Sequence, residues 1–89
     1  MSQLLGMDVF AVRALGNQLR AAADSLRGTE SLLTLLVGQV LWTGDDATQF
    51  RGAWDGDLRL RLIRIADALE DAAQRAHVNA TEQERTSAL

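Results

Sequence analysis

Chemistry in this chain would have to start from very few groups. His77 is its single imidazole, and there is no cysteine, tyrosine, lysine or proline among the 89 residues. No acid pair or second ligand stands beside His77 in a constellation that a general acid–base pair or a metal requires. No Ser/His/Asp series, glycine-rich phosphate loop or paired-carboxylate cleft is present either. Arg59, Arg61 and Arg64 form a short basic run suited to phosphate or anionic lipid. Asp55, Asp57, Asp67, Glu70 and Asp71 surround it at helical spacing, which reads as a solvated face with local ion pairs. The formal charge of −3 also argues against nucleic acid, whose binding normally rests on a basic field. The expectation is a chain that is not an enzyme and uses no cofactor, metal, nucleic acid or small-molecule substrate.

The elements that would position any functional group are helical. Ala, Leu, Arg, Gln, Asp and Glu dominate and no proline interrupts them. Asp8 is a natural N-cap for a first helix over about 8–41. Its apolar positions Val12, Leu15, Leu19, Ala22, Leu26, Leu33, Leu36 or Val37, and Val40 alternate steps of three and four, with Thr29 filling the gap. This is a heptad seam. Trp42-Thr43-Gly44 follows at the midpoint, where Gly44 supplies the positive φ of a sharp reversal and Trp42 can fold over the turn. Thr43 or Asp45 is expected to cap the second helix, with Asp45 and Asp46 facing the positive end of its dipole.

The second helix is expected over about 46–81, with a seam of Ala47, Phe50, Trp54, Leu58, Leu62, Ile65, Leu69, Ala72 and Ala76. Two successive steps of four around Leu58 make a stutter that locally relaxes the supercoil. Leu58 to Ile65 alternates like a strand, but a lone strand would have no partner, so helix is the reading. Helices of about 33 and 36 residues span roughly 50 Å each, and residues 82–89 read as a frayed polar tail. The whole chain, 1–89, is thus one all-α domain in which two long antiparallel helices form a hairpin.

Such a hairpin is short of burial, because ordering costs about 1.5 kcal/mol per residue and two helices bury one stripe each. A second set of apolar residues lies off the seam: Phe10, Ala14, Ala21, Leu32 and Leu35 on the first helix, Leu60 and Ile63 on the second. A helix apolar on two sides normally has two neighbours. Phe10, Ala14, Leu32, Leu35, Leu60 and Ile63 are therefore candidate contacts for pairing into a four-helix bundle dimer.

With Trp42-x-Gly44 set between two such helices, followed by Ala47, Phe50 and Trp54 and a terminal Asn79-Ala80-x-x-Gln83 segment, the chain resembles the WXG-motif family. These are the small helical-hairpin proteins of type VII (ESX) secretion, of the early-secreted-antigen type, and the resemblance spans nearly the whole chain. It implies a non-catalytic interaction module, a homodimer or a heterodimer with a related hairpin protein. Such a dimer is exported or co-exported folded by a machine with an ATPase of the FtsK/SpoIIIE type. Met1 to Phe10 lacks the basic region and unbroken apolar run of a leader, so secretion is expected without a cleaved signal peptide. Many exported relatives carry Tyr-x-x-x-Asp/Glu after the second helix. Here Val78 stands in the aromatic position and Glu82 in the acidic one, a degenerate version. That departure supports the alternative of a non-secreted, cytoplasmic adaptor or chaperone on the helical N-terminal domain of a larger type VII effector or toxin.

Overall fold

A computed structural model of the chain describes residues 8–39 and 43–88. Helix α1 is Val9–Gln39. A second helical run comprises α2, Asp45–Ala53, a π-helical turn over Trp54–Leu58, and α3, Arg59–Ala88. The described residues hold one long helix and one bent helix and no strand, so the alternating Leu58–Ile65 stretch is helical. Trp42 lies outside the described residues.

Local chemistry sets the helix starts. Asp8 accepts the Ala11 amide on its side-chain Oδ1 at 3.1 Å, and the Val12 amide reaches its carbonyl at 2.9 Å. That satisfies two amides that the first turn would otherwise leave unpaired. Gly44 takes φ of 107°, a left-handed value that a side chain disfavours. It occupies the N-cap position of α2 without a side-chain bond, so the expected Thr43 or Asp45 cap is replaced by a backbone one. Asp45 and Asp46 do lie in the first turn. The expected polar tail is also different: residues 82–88 continue α3. At 1.5 Å per residue the run from 45 to 88 accounts for the 66 Å long axis.

The two runs lie side by side in opposite directions. Pairs descend on one as they ascend on the other: Arg13 with Glu84, Arg27 with Glu70, Glu30 with Arg59, Thr34 with Trp54. The most deeply buried layers of the seam are small residues, alternating with half-buried leucines. Among the described residues, Ala23, Ala47, Ala66, Ala73 and Ala80 are fully buried, Trp54 is the one large side chain in the buried core, and Gly16 is buried opposite the His77 ring. The inward rows are Val9, Val12, Gly16, Leu19, Ala23, Leu26, Glu30 and Val37 on α1. On α3 they are Leu62, Ala66, Leu69, Ala73, Ala76 and Ala80.

This corrects the expected seam on both helices by one residue in alternate layers. Leu15 and Ile65, placed at its centre by spacing, are 50% and 51% exposed, and Leu36, Leu58 and Phe50 are also exposed. Two neighbouring rows have the same period, so spacing cannot separate them. Interhelical distance does: glycine and alanine let the backbones approach closely, whereas a Leu15–Ala22–Leu36 row inward would hold them apart.

The irregularity expected near Leu58 takes the form of the π turn. Its extra residue makes the inward step from Trp54 to Arg59 five instead of four, and π bulges are a recognised cause of helix bending. Gly52 and Gly56 lie in or beside it.

A Cβ on Gly16 would lie 2.8 Å from His77 Nε2, while one on Gly28 would meet nothing within 4 Å. Gly28→Ala should therefore raise stability by about 0.5–1 kcal/mol in urea unfolding. Gly16→Ala should yield no such gain until His77→Ala is added. Equal gains at both sites would refute the close approach.

Candidate interaction surface

The small-residue seam divides the outside of the helix pair into two flanks. On one, Arg13, Arg20 and Arg27 recur every seven residues along α1, and Glu70, His77 and Glu84 recur every seven along α3. Arg13 bonds Glu84, and Arg27 Nη2 reaches Asp67 at 3.0 Å and Glu70 at 2.9 Å. Arg20 and His77 occupy the corresponding middle positions. Hydrogen bonding to Arg13, with its charge adding to the effect, holds the Glu84 carboxyl below its usual range. Hydrogen bonds to Asp67 and Glu70 likewise raise Arg27. Spacing alone could have revealed this ladder, since both rows share one period.

The other flank is apolar. It carries Leu15, Ala22, Thr29 and Leu36 on α1, with Leu58, Ile65, Ala72 and Asn79 on the second run; Leu32 and Leu33 border it. Leu15, Leu32, Leu33, Leu36, Leu58 and Ile65 are all exposed. No ionisable side chain occurs in those two rows. In an antiparallel pair, the rows preceding the seam on each helix share a flank, so the same one-residue shift on both helices creates one continuous apolar strip.

The six proposed contact residues do not share that strip. Leu32 joins its edge. Phe10, the most exposed large apolar residue at 84%, and Leu60 fall toward the arginine side, and Ala14 and Leu35 fall on the back of α1. Ile63, expected to face away, is half-buried beside the seam. Val78 and Glu82 are both exposed, one turn apart on the outer side of α3. With His77, Thr81 and Arg85 they line a shallow depression, all on that one helix.

The end of the pair near Gly44 is held by polar bonds that spacing did not reveal. Trp54, 4% exposed, donates from Nε1 to Thr34 Oγ1 at 3.1 Å. Arg51 donates from Nε to the Val37 carbonyl at 3.3 Å, satisfying an acceptor near the end of α1. Glu30, whose side chain is 15% exposed, faces Arg59 at 3.6 Å. A polar pair within an apolar seam fixes the helices' alignment more than it adds stability. Of the basic run, Arg61 pairs with Asp57 at 2.7 Å one turn back.

Among the described residues, no three His, Asp or Glu side chains come together in a way that could hold a metal ion. No helix among them is long and apolar enough to cross a membrane. Comparison of the chain with family models, curated proteins and solved structures found no match.

Trp54→Ala should cost about 3–5 kcal/mol of unfolding free energy. Trp54→Phe, which keeps a ring but loses the Thr34 bond, should cost about 1 kcal/mol. Equal losses would deny the hydrogen bond a role. The ladder makes a separate prediction. Because the folded Glu84 carboxyl is depressed, its contribution is present above the unfolded carboxyl pKa and lost as pH falls through the folded one. The melting-temperature gap between wild type and Glu84→Gln should be open at neutral pH and close on acidification below about 4. A gap independent of pH would reject it.

Proposed function

We propose that this chain is a non-catalytic protein–protein interaction module. In this reading it is a helical hairpin that pairs, with itself or a related hairpin, into a four-helix bundle dimer. The dimer is exported or co-exported folded by a type VII secretion system with an FtsK/SpoIIIE-type ATPase, without a cleaved signal peptide. The observation that carries the interaction reading is the inversion of side-chain size across the helix pair. The fully buried layers of the seam are alanines, with Leu19, Leu26, Leu62 and Leu69 half-buried between them, whereas Leu15, Leu36, Leu58 and Ile65 stay outside. A buried methylene is worth about 0.8 kcal/mol and a fully buried Leu or Ile about 1.5–3, so much of the apolar free energy available to this sequence is released only by a further partner. The Trp42-x-Gly44 resemblance supplies the export part.

A second reading keeps the same surface but changes its use: a cytoplasmic adaptor docked on the helical N-terminal domain of a larger effector. Val78, in the slot where exported relatives have tyrosine, favours it.

Export is tested by following the chain in culture medium with and without the exporter's ATPase. Its presence in the medium only when the ATPase is intact supports the first reading. Retention inside the cell in both backgrounds, with stoichiometric co-purification of one larger helical protein, would replace it with the second.

A further inference from the structure

Apolar surface is concentrated at the Gly44 end of the hairpin and wraps around it. From Ser31 to Gln39, the last part of α1, no residue is ionisable, whereas residues 9–30 include Arg13, Arg20, Asp24, Arg27 and Glu30. Leu32, Leu35 and Leu36 are each about half exposed, and Leu33 is exposed as well. At 100° per residue these four fan over roughly 160° of the helix circumference, while Val37 turns inward. An amphipathic helix normally carries an apolar stripe of about 100° on one side only. Phe50 and Leu58, across the pair, are exposed at the same end.

Shape and charge together select the occupant. A flat surface would meet one side of this arc; only a concave wall covers Leu35 and Leu33 together. Apolar clefts on proteins have that form. Arginines at this end are engaged within the chain: Arg51 with the Val37 carbonyl, Arg59 with Glu30 and Arg61 with Asp57. Asp45 and Asp46, in the first turn of α2, and Asp55, in the π turn, take part in no ion pair among the described residues. They form a negative rim, which a cleft edged by Lys or Arg complements. Anionic lipid headgroups and a second copy of this end both carry the wrong sign.

We propose that the Gly44 end of the hairpin is a docking tip, which inserts into an apolar, Lys- or Arg-edged cleft on a different protein. The proposal rests on the interaction-module reading and adds a second surface to it. It requires neither export nor pairing of hairpins.

Photo-reactive benzoylphenylalanine at Leu35 of the full chain, expressed in its native host, should cross-link to one other protein. The same probe at Ala14, exposed further along that back row, should not. Purified and titrated, the cross-linked protein should bind the wild-type chain and lose about tenfold or more in affinity with Leu35→Asp. Leu15→Asp, on the strip, should leave that affinity unchanged, and circular dichroism should show both variants helical. Salt should weaken wild-type binding, and Asp45→Asn with Asp46→Asn should remove most of that dependence. No adduct, equal adducts from both positions, or an adduct of twice the chain's own mass would overturn the proposal. So would a partner indifferent to Leu35→Asp or equally sensitive to Leu15→Asp, and so would flotation with phosphatidylcholine vesicles that Leu35→Asp abolishes. Export is read separately. A chain that reaches the medium through the ATPase without a Leu35 adduct keeps export and loses the tip. A Leu35 adduct in a chain confined to the cell keeps the tip and loses export.

Discussion

Close approach of two helix backbones is the constraint on which the rest of this molecule depends. Gly16 and Ala23 on one helix, with Ala66, Ala73 and Ala80 on the other, form the fully buried layers, and half-buried Leu19, Leu26, Leu62 and Leu69 alternate with them. Once the small row is inside, the leucine row beside it must lie outside. The exposed apolar strip is therefore a geometric consequence of how the pair is joined, and not an accumulation of isolated surface leucines. Individual exposed leucines are ordinary; five leucines and an isoleucine in or bordering two rows that carry no ionisable side chain are not.

Such a seam is weak in hydrophobic terms, and the chain compensates at its margins. The arginine–carboxylate ladder runs along one flank, and its members are substantially exposed, so its value lies more in alignment than in energy. Near Gly44, Trp54 supplies a large buried side chain and bonds Thr34, while Arg51 ties α2 to Val37 of α1. The π turn serves that arrangement. Adding one residue between Trp54 and Arg59 restores the small-residue row of α3 to the seam after the indole has turned inward.

Function follows from what is left over. The described surface divides into a flank where Arg13 and Arg27 engage carboxylates and a flank whose Leu15–Leu36 and Leu58–Asn79 rows carry no ionisable side chain. That division is what the proposed interaction role rests on. It also separates surfaces that composition alone would merge: Phe10, Leu35 and Leu60 are exposed and apolar, yet they point in different directions from the strip formed by Leu15, Leu36 and Ile65.

The amino-acid sequence by itself determined the helical elements, the Asp8 start, the left-handed turn residue at Gly44 and the irregularity near Leu58. These depend on local propensity, capping and backbone freedom. It also determined the seven-residue period of the packing rows. Only the tertiary structure decided which of two adjacent rows faces inward, because rows one residue apart share the same period and differ in how near they let a second helix come. The same distance decided that His77 packs on Gly16, that Arg13 and Arg27 reach carboxylates 40 or more positions away, and that the candidate contacts spread over several faces. Side-chain volume measured across two helices is a property of the pair, and no window along one strand of sequence contains it.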